Sequence, residues 1–254
     1  MKIVATYNIK GGVGKTATAV NIAWLAARDG LRTVIWDLDP QAAATFYFRI
    51  EAGVRGGVER LVEKKDALAE AVHATDYERL DLIPADFSYR NLDIELHGAK
   101  KPVKQLLRLI RPLSEDYDLL ILDAPPSISI VSENIFRAAD ALLVPLIPTT
   151  LSLRTYAQLL DYFGENPDRR PLLLPFVSMA DRRKRMHVDT IRQLQRDDPR
   201  VLSAVIPYSS VIERMGEQRA PVGVFAASHP AAEAYAALWH EAARRMLIER
   251  PETR

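Results

Sequence analysis

Residues Lys10 to Thr16 read Lys-Gly-Gly-Val-Gly-Lys-Thr, which crowds three glycines, two lysines and a hydroxyl into seven positions. That combination suits the holding of a phosphate chain. Glycine tolerates positive φ and close approach, so the backbone N–H groups of Gly11, Gly12, Val13, Gly14 and Lys15 can turn toward phosphate oxygens. Lys15 then reaches the β and γ phosphates, and the Thr16 hydroxyl ligates Mg²⁺. Such a loop needs a strand before it and a helix after it. Ile3-Val4-Ala5-Thr6-Tyr7 supplies the first, and the helical stretch continuing from Ala17 to Arg28 adds the positive end of its dipole.

Acidic side chains fall where a phosphate site needs them. The second apolar run closes in Trp36-Asp37-Leu38-Asp39-Pro40-Gln41, and the two-residue period of a strand puts Asp37 and Asp39 on one side of its end. Asp37 is expected to support the water shell of Mg²⁺. Leu119-Leu120-Ile121-Leu122-Asp123 ends four apolar residues in an acid, the pattern of a Walker B strand that holds Mg²⁺ through water. Ala124-Pro125-Pro126-Ser127 follows, and the paired prolines stiffen the exit so that a shift at the γ phosphate moves the next helix as a unit. Carboxylates are weak bases near neutral pH and serve to position water. Charge neutralisation falls to Lys10, Lys15 and Mg²⁺, so unaided turnover is expected to be slow.

The strict Walker pattern has a glycine where this chain has Ile9, and Lys10 follows in its place. Lys-Gly-Gly-x-Gly-Lys-Thr is the deviant Walker motif of the ParA/MinD ATPases, and the chain resembles that family over about residues 1–230. The resemblance implies a P-loop NTPase fold of the SIMIBI type and an ATP-sandwich homodimer, with Lys10 crossing to the partner's nucleotide. Asp-x-Asp-Pro-Gln at 37–41 is similar to the family's first switch, which gives Asp39 the role of orienting the attacking water. Asp-x-Pro-Pro-Ser at 123–127 is similar to its second switch. The adenine is expected after the strand 204–206, around Pro207 and Tyr208, although the family's frequent Pro-Arg-Asn is missing there.

With 254 residues, 48% of them apolar, and no long linker, one α/β domain over 1–254 is expected. Cysteine is absent, which excludes disulfides, thiolate metal sites and iron–sulfur relatives with similar loops. Short apolar runs alternating with helical patterns predict a mostly parallel, twisted sheet with helices on both faces. Strands are expected at 3–8, 33–37, 81–84, 119–123, 141–147, 172–177 and 204–206. Helices are expected near 15–28, 102–110, 132–138, 153–163, 188–196 and 231–248, with a connection and a short helix in 49–65. No stretch reaches the length of a membrane span and no signal peptide is evident, so a cytoplasmic protein is expected.

The net charge is only +1, from 34 basic and 33 acidic side chains, so nucleic-acid binding would need a local patch. Asp181-Arg182-Arg183-Lys184-Arg185 is the densest basic run. By resemblance to ParA-like proteins, Arg182, Arg183, Lys184 and Arg185, with Arg214 and Arg219 in the next connection, bind the DNA backbone. No helix-turn-helix segment precedes Met1, so binding to the nucleoid without sequence preference is expected. The corresponding partners are a second copy with ATP, double-stranded DNA, and a ParB-like or cargo adaptor protein that triggers hydrolysis. The cargo could be a plasmid, a chromosome origin or a protein assembly. A MinD-like membrane ATPase is the alternative, but it needs a longer apolar C-terminal face than 242–254 offers. Trp239, Leu247 and Ile248 are expected to dock on the sheet instead. A metabolic enzyme on the same scaffold would not need Lys10, and the histidines show no metal-like spacing.

Overall fold

The computed structural model describes residues 1–64, 66–98, 102–166 and 171–248. Its strands are β1 (Lys2–Thr6), β2 (Thr33–Asp37), β3 (His73–Ala74), β4 (Leu80–Ile83), β5 (Leu119–Asp123), β6 (Ala141–Leu146), β7 (Leu172–Ala180) and β8 (Val205–Pro207). They form one sheet in the order β3-β4-β2-β5-β1-β6-β7-β8. Every pairing is parallel except β3 with β4. The helices, in chain order, are α1 (Lys15–Arg28), α2 (Ala43–Tyr47), α3 (Gly57–Glu63), α4 (Ala67–Glu70), α5 (Leu92–Gly98), α6 (Gln105–Ile110), α7 (Ile130–Ala138), α8 (Thr150–Glu165), α9 (Arg185–Asp197), α10 (Ser210–Glu213), α11 (Met215–Gln218), α12 (Val222–Phe225) and α13 (Pro230–Arg245).

Alternation along the strands divides the core between two faces. Ile3, Ala5, Val34, Trp36, Leu120 and Leu122 pack under α3, α5, α6, α7 and α8, while Val4, Ile35, Leu119 and Ile121 pack under α1, α2 and α13. Strands β2, β5 and β6 are buried along their whole length, as a sheet covered on both sides requires. That arrangement accounts for the continuous apolar runs in the sequence.

Two prolines lie inside strands, where a missing N–H ordinarily breaks the ladder. The carbonyl of Pro145 in β6 accepts from the Asn8 side chain at 2.8 Å, so this residue's backbone faces the side where β1 has already ended. Pro175 in β7 likewise faces β8, accepting from Leu202 N at 2.8 Å before β8 begins. Neither proline therefore faces a neighbour that needs its N–H.

The predicted strands and helices are all present, with shifted ends. β1 stops at Thr6, and Tyr7 and Asn8 already belong to the loop entrance. β7 runs on to Ala180, and Pro207 closes β8 where it was expected to follow it. β3, α2, α4, α5, α10, α11 and α12 have no counterpart in the expectation. Trp239 is buried and donates from Nε1 to Asp29 Oδ2 at 2.9 Å, and Ile248 packs against the same face. Leu247, however, is 84% exposed, because the chain turns left-handed there after α13 has ended.

Candidate phosphate and metal site

Three neighbouring strands bring their last residues into one row. Thr6 pairs with Asp123, and Asp123 pairs with Asp37, in the registers of β1 with β5 and β5 with β2. All three side chains are fully buried. Above them, residues 9–14 wrap from β1 into α1, with Gly12 at φ +69° and Gly14 at φ +93°. Gly14 is also the N-cap residue of α1. A Cβ on Gly14 would lie 3.0 Å from Ser178 Oγ, and one on Gly11 would lie 4.0 Å from Pro126 Cγ. The loop is thus seated between the end of β7 and the proline-stiffened exit of β5. Asn8 locks its entrance, accepting from Lys10 N at 2.9 Å while donating to Pro145.

Lys15 is buried at the start of α1, and its Nζ donates to the Lys10 carbonyl at 3.2 Å. Burial lowers its pKa, against the attraction of Asp123 and Asp39. The Lys10 ammonium itself has no hydrogen-bond or ion-pair partner among the described residues. Thr16 is the second residue of α1, near enough to Asp123 to favour its charged form. Val13 is buried, and Ala17 packs on the α1 face of the core.

The two acids that face each other across β2 and β5 are held differently. Asp37 is latched: Oδ2 accepts from the Thr45 amide and hydroxyl, each at 2.8 Å, and Oδ1 accepts from the Asp39 amide at 3.2 Å. Asp123 Oδ1 accepts from the Thr6 hydroxyl at 3.2 Å, but its buried Oδ2 has no hydrogen-bond partner. Burial raises both carboxyls above the ordinary range, with repulsion from Asp39 adding to it at Asp37 and repulsion from Asp37 adding to it at Asp123. An orphaned carboxylate oxygen beside a second acid and a threonine hydroxyl is an all-oxygen donor set of the kind a hydrated Mg²⁺ takes. The residues present therefore fit that ion. Asp39 stands at the partly exposed mouth of this row, with Oδ1 accepting from Gln41 N at 3.0 Å.

The second switch segment is tied to its helix. Tyr7 donates to the Ser127 carbonyl at 2.9 Å, Ser132 donates to the same carbonyl, and Ser129 and Ser132 cap the start of α7 reciprocally. Asp93 of α5 accepts from Val131 N at 2.9 Å, adding a carboxylate to the positive end of that helix.

The matching family model, an AAA domain, covers residues 1–170. The sporulation initiation inhibitor protein Soj of Bacillus subtilis strain 168 is 30% identical over 95% of this chain and 98% of its own length. The chromosome-partitioning ATPase Soj of Thermus thermophilus is 34% identical over 96% of each chain. The chain belongs to the ParA/MinD family of ATPases. The crystal structure of cobyrinic acid a,c-diamide synthase from Mycobacterium smegmatis, with bound ATP analog and magnesium, superimposes at a TM-score of 0.79 with 25% identity, covering 100% of this chain and 99% of that one.

The basic residues assigned by ParA resemblance are placed unequally. Arg182, Arg183 and Lys184 form the loop between β7 and α9, and Arg185 is the first residue of α9. Their side chains reach into solvent, with Arg183 paired to Asp181 at 2.9 Å and Arg185 to Asp189 at 3.6 Å. Arg214 lies between α10 and α11 beside Glu217. Arg219 is bound elsewhere: Nε donates to the Phe46 carbonyl at 3.0 Å and the guanidinium stacks on the Phe46 ring, so it works as a strut for α2. Pro207 ends β8 next to β7, and Tyr208 N donates to the Ala180 carbonyl at 2.9 Å. Sequence reasoning missed Asn8, Thr45, Ser178 and Met179. The left-handed backbone at Met179 coincides with a register irregularity between β7 and β8 beside the loop, and no glycine marks it in the sequence.

Proposed function

We propose that this protein is a ParA-type positioning ATPase that takes ATP and Mg²⁺, pairs with a second copy around the nucleotides, and binds duplex DNA without sequence preference. A ParB-like or cargo adaptor protein would trigger hydrolysis and release it, giving a cytoplasmic, nucleoid-associated cycle. The observation that carries the reading is the juxtaposition of a glycine-lined loop, a buried Lys15 and the unpartnered Asp123 oxygen. They are three parts of a phosphate-and-metal cradle, and Lys10 stands free beside them.

Bound Mg²⁺ supplies charge neutralisation at the phosphate oxygens. Thr16 and Asp123 would hold it, with Asp37 behind them. Lys15 gives up its bond to the Lys10 carbonyl for the phosphates, and Gly11 to Lys15 offer their amides. Asp39 orients the attacking water, and Lys10 adds positive charge from the partner's side of the nucleotide. None of these groups is a strong base, so basal turnover is slow and leaves room for stimulation.

Four cations at 182–185 give one subunit about four phosphate contacts. At about −0.9 per contact the salt slope is about −3.6, and a dimer doubles it to about −7.2, so affinity rises steeply. Binding to random duplex DNA should therefore be measured without nucleotide, with ADP and with ATP, for the wild type, Arg183→Glu and Lys10→Ala. Salt-sensitive binding with ATP alone, lost in both variants, is the expected result. Binding that ignores nucleotide, or none under any condition, would refute the DNA-switch reading. Among the described residues no helix is long and apolar enough to cross a membrane.

A further inference from the structure

We propose that Thr45 is a positioning residue for hydrolysis, the latch that fixes the loop carrying Asp39. The inference rests on the ATP-hydrolysis reading of the site and extends it to a side chain outside the sequence motifs. Thr45 is the third residue of α2 and is fully buried. The segment between it and β2 is tied off at both ends on one carboxylate. The Asp39 amide binds Asp37 Oδ1 at the near end, and the Thr45 amide and hydroxyl bind Oδ2 at the far end, eight residues along the chain. Inside this closed loop, the Ala42 amide donates to the Asp39 carbonyl and the Gln41 amide to the Asp39 carboxylate, with Ala42 held left-handed at φ +56°. The position of the Asp39 side chain is therefore set by where the loop is anchored.

The hydroxyl has a definite polarity. The Ala85 amide can only donate, and it donates to Thr45 Oγ1 at 2.9 Å. A hydroxyl has one proton, and with its oxygen accepting from Ala85, that proton goes to Asp37. Thr45 thus joins three stretches, the end of β2, α2 and the exit of β4, in a site from which water is excluded. Removing the hydroxyl leaves the buried Ala85 amide unpaired and takes one of three donors from Asp37. The backbone amide of Thr45 remains, so the loop loosens without losing its anchor entirely. A displacement near 1 Å of a water-orienting group costs on the order of 100-fold in rate. Phosphate binding, which depends on the loop at 10–16, is left alone.

The test compares Thr45→Val, which keeps shape and loses the hydroxyl, with Thr45→Ser, which keeps the hydroxyl and loses a methyl. Thr45→Val is expected to lower kcat by ~10-fold or more, with KM and the Kd for ATP within about threefold of wild type. Thr45→Ser should recover most of the loss. In the nucleotide-free protein, amide hydrogen exchange over 38–42 should quicken in Thr45→Val while exchange in β1 and β5 stays as in wild type. If Thr45→Val does not fold, Thr45→Cys, with a poor hydrogen-bonding group of similar size, takes its place under the same expectations. A Thr45→Val kcat within about twofold of wild type, a KM that rises in step with any fall in kcat, or a serine variant no better than valine would overturn the proposal. If the wild type hydrolyses no ATP, the functional reading fails instead. Exchange over 38–42 then decides the latch by itself, and unchanged exchange overturns it.

Discussion

Adding one methyl group at Gly14 and one at Gly12 separates two physical demands on the same loop. Both glycines have positive φ, but a Cβ on Gly12 meets nothing within 4 Å, whereas one on Gly14 meets Ser178 Oγ at 3.0 Å and Met179 Cε at 3.8 Å. Ser178 is buried and has little room to retreat. Gly12→Ala therefore costs only the left-handed backbone, about 1–2 kcal/mol, partly offset by a stiffer unfolded chain worth roughly 0.4–1 kcal/mol. Gly14→Ala carries the same backbone terms plus an overpacking cost of about 1–3 kcal/mol. At about 2–4 °C per kcal/mol for a chain of this size, thermal unfolding of the nucleotide-free protein should show Gly12→Ala down by a few degrees and Gly14→Ala down by roughly 4–16 °C. Ser178→Ala combined with Gly14→Ala should recover the contact part, seen as a coupling of about 1–3 kcal/mol in a double-mutant cycle. Equal shifts for the two glycine variants, or no recovery with Ser178→Ala, would refute the claim that the end of β7 sets the fit of the loop.

Three further outcomes follow from the site. Lys15→Ala should abolish nucleotide binding while Asp39→Ala binds ATP without hydrolysing it. Calorimetric titration against turnover checks this, and equal loss of binding in both would break the division of roles. Burial raises the Asp123 carboxyl above its unfolded value, so its contribution to metal-free stability is full below about pH 4 and is lost as pH rises through the raised pKa; Asp123→Asn should flatten that decline in melts from pH 5 to 8. Asp93→Ala removes the acceptor for Val131 N and should cost about 1 kcal/mol, read as a fall of about 2–4 °C in Tm.

Much of the site was legible because its signals are local. The glycine run, the acid at the end of each apolar strand and the helix at 15–28 lie in continuous stretches whose periodicity and residue types carry the information. What escaped lies across the chain. Thr45 sits in a five-residue helix too short to show a period, and its importance comes from Ala85, forty positions away. Asp93 caps a helix 38 residues downstream, and β3, two residues long, is defined only by pairing with β4. Arg219 shows the same limit from the other side: a basic residue in a connection reads alike in sequence whether or not it also braces the fold, as Arg219 does through the backbone carbonyl of Phe46.

The sheet is closed at both rims by very little strand. β3 offers two residues at one edge, and β8 offers three at the other with a broken register, while β7 inside runs to nine. Rims this short present few aligned N–H and C=O groups, so a neighbouring chain finds no template for strand addition even when copies are crowded together. On the proposed function, pairing with a second copy would then fall to side chains and loops above the strand ends, where a bound nucleotide would make or unmake the contact. A backbone ladder would have made crowding a one-way path toward aggregation.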